Sequence, residues 1–149
     1  MIHISPALAA DAHRLALRQE DHDEATLLGH GENYGAYLAS VLPLTTGLTA
    51  HDEEGNVVAM GGLSRGPGVV SPWLRCSDLI GQHKRALWRT AKKVVGRLQE
   101  EANEGSYIFN YISKEARTAR AFITALGFVI VPAPVGPVDL FFLPRRTHV

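Results

Sequence analysis

Apolar residues at Leu8, Ala12, Leu15 and Leu17 recur at helical spacing and predict a first amphipathic helix. A short strand at Ile2 to Ile4 precedes it, with Ser5-Pro6 as the helix entry, because proline at a first helical position gives up an N–H that has no partner there. The polar run Glu20 to Glu24 reads as a solvated segment, and a second helical piece covers Glu32 to Val41. The period then shortens. Leu44 to His51 and Asn56 to Leu63 are strand-like, and the turn chemistry of Asp52 to Asn56 between them predicts an antiparallel hairpin. Arg65 to Gly68 is a second connection. Val69 to Arg75 follows as a third strand, in which Pro72 predicts an edge position or a bulge.

The longest helical stripe comes next, over about Leu79 to Ala102. Leu87, Ala91, Val94, Val95, Leu98 and Ala102 form its apolar face, and Arg85, Arg89, Lys92 and Lys93 point away from it into water. Ser77 or Asp78 is its expected N-cap. Ser106 to Ser113 reads as a strand in which Tyr107, Phe109 and Tyr111 share one face, the pattern of a core stripe. In the stretch ARAFITALGFVIV, Phe122, Ala125 and Leu126 mark the buried side of a helix running from about Lys114 to Leu126. Gly127 stops that helix by taking the left-handed conformation, and Phe128 to Val131 has the β-branched and aromatic content of a strand. Pro132 to Pro137 turns the chain into a last strand at Val138 to Leu143, and the tail from Arg145 to Val149 is expected to be loose or to dock a neighbour. A strand, long helix, strand crossover beside antiparallel hairpins implies an α+β domain with one mixed sheet.

Composition narrows the partners. The 149 residues suit one domain, 1–149, and 15 basic against 15 acidic residues leave no global field to attract nucleic acid or an anionic membrane. The chain start has no basic segment ahead of a sustained apolar run and no stretch long enough to span a bilayer, so a cytoplasmic location is expected. The one cysteine, Cys76, has no internal disulfide partner and reads as a small buried residue rather than a nucleophile. Trp73 is expected to pack between its strand and the long helix, with a ligand floor as the alternative. Gly61-Gly62 marks close backbone packing or a bulge. The seven histidines lack the paired spacing of a metal helix, so no metal is expected.

The order of elements, together with AxxFxxxLGF closing the second helix, resembles the GNAT superfamily of N-acyltransferases. More narrowly, PWLRCSD, the basic helix after it, and FNYIS followed by the LGF helix resemble GNAT-like accessory proteins of short-tailed phages, some of them internal virion proteins. The resemblance spans about Asn56 to Val131. It implies a GNAT-like fold with helices on both faces of the sheet, acetyl-CoA as co-substrate, and a small amine or a protein as acceptor. It also implies a phage protein in the cytoplasm of a bacterial host. The alternative is a non-catalytic protein that kept the fold and binds a host factor or other virion proteins.

In that family the strand after the meander and the strand after the long helix diverge, and the cofactor diphosphate lies on the long helix's first turn, where unpaired N–H groups attract phosphate. The matching residues here are Trp73, Leu74, Arg75 and Cys76 on the strand, then Gly81, Gln82, His83, Lys84 and Arg85 at the helix start. The family's phosphate loop is reduced to Gly81 alone, and an N-cap carboxylate at Asp78 would compete for the same N–H groups. Lys84 is the residue able to supply the missing charge. The family's tyrosine and asparagine positions on the LGF helix hold Ile123 and Ala116. Asn110 and Tyr111 on the preceding strand are therefore the candidate catalytic donors, and Glu32, His30 or His51 the candidate bases.

Overall fold

The computed structural model describes residues 1–146. Its elements alternate as the pattern requires: β1 (His3–Pro6), α1 (Ala9–Arg14), α2 (Gln19–Leu27), α3 (Tyr34–Val41), β2 (Thr45–His51), β3 (Val57–Gly66), β4 (Val69–Cys76), α4 (Lys84–Asn103), β5 (Tyr107–Ser113), α5 (Arg117–Ala125), β6 (Val129–Val131) and β7 (Val138–Phe142). The strands form one seven-stranded sheet in the order β1-β2-β3-β4-β5-β7-β6, with β4–β5 parallel and β1–β2, β2–β3, β5–β7 and β6–β7 antiparallel. The protein is α+β with a mixed sheet. None of the helices among the described residues is long and apolar enough to cross a membrane.

Contacts divide the chain into two units, Met1–Ser64 with Trp73–Leu87, and Arg65–Pro72 with the chain from Trp88 onward. In the first, β1, β2 and β3 pair antiparallel, with a bulge between Ala50 and His51. The hairpin turn is closed by Asp52, whose Oδ1 accepts from Glu54 N–H at 3.0 Å and Asn56 N–H at 2.8 Å. Two apolar clusters cover opposite faces of these strands. Ala12, Leu15, Leu38, Val57 and Met60 gather the helices α1 and α3 on one side, and Val58, Ala59, Cys76, Ile80 and their neighbours fill the other.

Several expectations for this unit change. Pro6 ends β1 instead of opening a helix, and α1 starts at Ala9, where Leu8 N–H is held by the Asp11 carboxylate at 2.9 Å. Trp73 does not pack on the long helix. Its ring joins the α1–α3 cluster and its Nε1–H donates to Thr45 Oγ1 at 2.8 Å. That ring also explains Gly62, where a Cβ would stand 2.4 Å from Thr46 O and 3.0 Å from Trp73 Cζ2. The run Glu20 to Glu24 is not solvated throughout. Asp21 and Glu24, three apart and on one helix face, are buried.

In the second unit, β5 pairs antiparallel with β7 and β7 with β6. Ile108, Ile112, Phe128, Phe141 and Leu143 are buried, and Phe128 meets Phe141 edge-on at 5.3 Å. Trp88 of α4 meets Phe122 of α5 in the same manner at 5.8 Å. The stop at Gly127 is as the sequence reads. Gly127 has φ +104°, its N–H bonds Thr124 O at 3.0 Å, and Phe128 N–H bonds Ile123 O at 3.1 Å, the paired bonds of a Schellman ending.

The supposed core stripe of β5 is the other face. Tyr107 and Tyr111 are 67% and 52% exposed, and Val129 and Val131 of β6 are each 44% exposed. The alternation is that of the sequence with inside and outside exchanged, because Ile108 and Ile112 carry the burial. The tail is partly tied down: Arg145 donates to Gly105 O at 3.2 Å, and Arg146 N–H to Asn103 Oδ1 at 2.8 Å. Residues 147–149 lie outside the described residues.

Candidate functional site

The parallel β4–β5 ladder is short. Its register comprises Val69 with Tyr107 and Val70 with Ile108. Tyr107 N–H donates to Gly68 O at 2.8 Å, so by strand alternation the polar groups of residues 68, 70 and 72 face β5. Residue 72 should donate the next rung, and it is proline. With no N–H to give, the ladder stops there. Pro72 is thus not on an edge strand, since β4 lies inside the strand order.

Asn110 sits at this end point. Its Nδ2 donates to Pro72 O at 2.9 Å and its Oδ1 accepts from Tyr111 N–H at 2.8 Å. The carboxamide is committed at both ends. The Tyr111 ring lies edge-on to Phe109 at 6.1 Å, with the residue half exposed.

Beyond Pro72, β4 carries Trp73 and Arg75 on one face and Leu74 and Cys76 on the other. Arg75 reaches toward α2 and α3: its Nη1 lies 3.4 Å from Glu24 Oε1 and its guanidinium 5.7 Å from the centre of the Tyr34 ring. Its buried Nε has no partner among the described residues. The Arg75 side chain is therefore directed to the helices rather than offered to a phosphate. Burial pushes the Cys76 thiol up to about 12, with Asp21 adding to the shift, so it stays protonated and unreactive. Cys76 O accepts from Arg18 N–H at 2.9 Å, next to an isolated bridge between Leu17 and Ser77.

Sequence reasoning missed the charged network under this strand. Arg18 Nε donates to Asp21 Oδ2, and Asp21, Glu24, Arg18, Arg75 and Tyr34 interact as a group. Burial raises the Asp21 carboxyl above its ordinary range, against the pull of Arg18 and Arg75. Burial likewise raises the Tyr34 phenol, with Arg75 opposing. The i, i+3 spacing of Asp21 and Glu24 was the available signal for a shared helix face.

The long helix begins later than expected. Ser77 caps a 3-10 turn, Asp78–Gln82, by accepting from Leu79 N–H at 3.3 Å, and α4 starts at Lys84 with Leu87 N–H bonded to His83 O at 3.0 Å. Asp78 is exposed at the start of that separate turn, so the expected competition at the long helix's first amides falls away. Gly81, Gln82, Lys84 and Arg85 are exposed and His83 is half buried. α4 opens on Lys84 and Arg85, and their charge at the positive end of a 20-residue helix suits an anionic group such as a diphosphate. Gly81 itself has open space where a Cβ would stand.

A groove of about 560 Å³ lies at the α2–α3 connection, lined by His22, Thr26, His30, Glu32, Asn33 and Tyr37 among others. His30 and Tyr37 stack at 3.7 Å, Tyr37 lies 5.9 Å from Tyr34, and Tyr34 covers Arg75 of β4. Two candidate bases, His30 and Glu32, belong to this groove. The third, His51, lies 3.1 Å from Asp11 Oδ1 and serves the α1–β2 junction. Burial works to raise Asp11, but bonds from Leu8 N–H, Thr49 and His51 outweigh it and hold the carboxyl below its usual range.

No protein-family model matches the chain, and no curated protein matches it in sequence. Solved structures do match. A GNAT superfamily phosphinothricin acetyltransferase from Sinorhizobium meliloti, in complex with acetyl-CoA, is 18% identical with a TM-score of 0.64 over 96% of this chain and 89% of its own. The PaiA N-acetyltransferase from Thermoplasma acidophilum, in complex with coenzyme A, is 13% identical with a TM-score of 0.64 over 97% and 99%. A GNAT family acetyltransferase from Staphylococcus aureus Mu50 is 12% identical with a TM-score of 0.66 over 96% and 98%. The fold is that of the GNAT acetyltransferases.

Proposed function

We propose that the protein is an acyl-CoA-dependent N-acetyltransferase whose acceptor is an amine. The observation that carries this reading is the β4–β5 ladder, halted after two pairs at a proline, in a chain with the fold of enzymes solved with coenzyme A and acetyl-CoA. The ladder's end leaves a strand edge suited to a linear amide-bearing ligand, and the start of α4 is suited to its diphosphate.

Acetyl-CoA supplies an acyl group activated as a thioester. The β4 alternation turns the Leu74 N–H to the same edge as that of Val70, where it polarises the thioester carbonyl. Lys84, with Arg85 beside it, holds the diphosphate over the first turn of α4. Trp73, Arg75 and Cys76 contribute through the strand backbone, since their side chains are engaged elsewhere. The acceptor enters the α2–α3 groove, where Glu32 or His30 takes the amine proton. The nitrogen bonds to the acyl carbon, the carbon–sulfur bond breaks, and the Tyr111 hydroxyl protonates the departing thiolate.

Calorimetric titration with acetyl-CoA and with desulfo-CoA tests the reading. Binding of both is expected, and no detectable heat or thermal shift at millimolar ligand overturns it. Lys84→Ala is expected to weaken binding by about tenfold and to flatten its salt dependence. Unchanged affinity removes Lys84 from the site.

A second reading rests on the departures from the family's chemistry: Gly81 alone in the phosphate loop and Ile123 at the position of the family's tyrosine. It makes the chain a phage-encoded binding protein, in the virion or on a host factor, that retained the fold. Co-purification from infected cells or virions, with no response to acetyl-CoA, is the result that favours it.

A further inference from the structure

Asn110 occupies a position where a backbone rung is due. In a parallel ladder registered at Val69–Tyr107 and Val70–Ile108, the rung after the missing Pro72 donor is Tyr111 N–H to Pro72 O. Both of those groups are present and both are used, but not with each other. The Asn110 carboxamide stands between them, accepting from the first at 2.8 Å and donating to the second at 2.9 Å. Two bonds in series across a planar amide replace one direct bond of about 2.9 Å. Tyr111 N–H and Pro72 O thus each keep a partner although they do not pair with each other.

A side chain with only a donor or only an acceptor could not do this. Aspartate would face Pro72 O with a second acceptor, and an aliphatic residue would leave Tyr111 N–H to find Pro72 O directly. Proline acts in the same direction, because it withholds one rung while Asn110 lengthens the next. Neither device is legible alone. Together they stop the ladder at two pairs.

We infer that Asn110 is a positioning residue, a spacer that with Pro72 keeps the β4–β5 ladder from running on to Leu74 and so reserves that strand edge for the acyl-CoA. This rests on the proposed function for its ligand and on the geometry of the rung for its device. It also reassigns Asn110 from a proton donor to the reacting atoms, the role expected from sequence, to the support of Leu74.

The test uses the full chain with Pro72→Ala and Asn110→Val together, which returns the missing donor and removes the spacer. The Tyr111 amide is expected to gain at least about tenfold protection from hydrogen exchange and the new residue-72 amide to be protected to a similar degree, with thermal stability unchanged or raised. The KM for acetyl-CoA is expected to rise by about tenfold and that for the amine acceptor to stay within about twofold. Pro72→Ala alone keeps the spacer and is expected to bind acetyl-CoA within about twofold of the parent. Asn110→Asp, which keeps size and acceptor but not the donor, is expected to fall between. A double variant that fails to fold while Asn110→Asp binds like the parent overturns the inference. So does a folded double variant whose acetyl-CoA affinity and Tyr111 exchange match the parent. A parent chain that binds no acetyl-CoA instead overturns the proposed function, and the two failures are distinct.

Discussion

Asp21 and Asp139 each expose little surface, 6% and 3%, and their carboxyls shift in opposite directions. Asp21 faces Arg18, Arg75 and the Cys76 backbone, and loss of water is the largest influence on it. Its ion pair with Arg18 and its neighbour Arg75 do not offset the loss of water, and its carboxyl is raised. Asp139 meets a backbone donor as its largest influence. Ala133 N–H donates to its Oδ1 at 2.8 Å and Arg120 to its Oδ2 at 2.9 Å, with Lys114 at 3.9 Å, and its carboxyl is lowered. A backbone donor reaches both carboxylates, but it is the largest influence on Asp139 and the smallest on Asp21, where loss of water comes first. The first unit thus holds its helices with mutually dependent charges, and the second pins its β6–β7 loop with a carboxylate that is satisfied on the spot.

The contrast is broken most strongly at Arg75. Arg75→Met leaves Asp21 and Glu24 buried without their shared cation and is expected to cost about 3 kcal/mol, read from urea denaturation. Arg120→Met should cost less, because Ala133 N–H and Lys114 remain on Asp139; an equal loss would mean that the backbone bond does not carry that site.

The smallest effects are those of pH, and they have opposite signs. Asp139 titrates lower in the folded state, so its contribution is complete above the ordinary carboxylate range and is lost as pH falls through that range toward the folded value. Asp139→Asn should make the acid limb of a stability profile shallower. Asp21 titrates higher when folded, so the folded protein keeps a proton the unfolded chain has released. Stability then falls as pH rises from the ordinary value to the folded one. Asp21→Asn should remove that fall. Identical profiles for the two variants would mean that the two carboxyls do not differ as described.

Local chemistry was legible where neighbours in sequence are neighbours in space. The Gly127 stop needs only the bonds from residues 127 and 128 back to 124 and 123. The Asp52 turn is made within five residues. The apolar stripe of α4 follows from helical geometry alone. For the candidate site, the sequence carried residues but not what their side chains touch. The chain pointed to β4, the start of α4 and β5, but it could not show that Arg75 turns to Glu24, 51 residues away, or that Asn110 spans to Pro72, 38 residues away. It also misjudged β5, where either face of YIFNYIS is apolar enough to be the inner one.

By itself, then, the sequence determined the kinds of element, their order and most of their ends, because propensity, period and turn chemistry act within a few residues. Tertiary structure decided which face of β5 is covered, which carboxylates are buried, and where the parallel ladder stops. Those outcomes depend on the partner that a distant segment brings to each polar group, and a buried polar group takes its character from that partner.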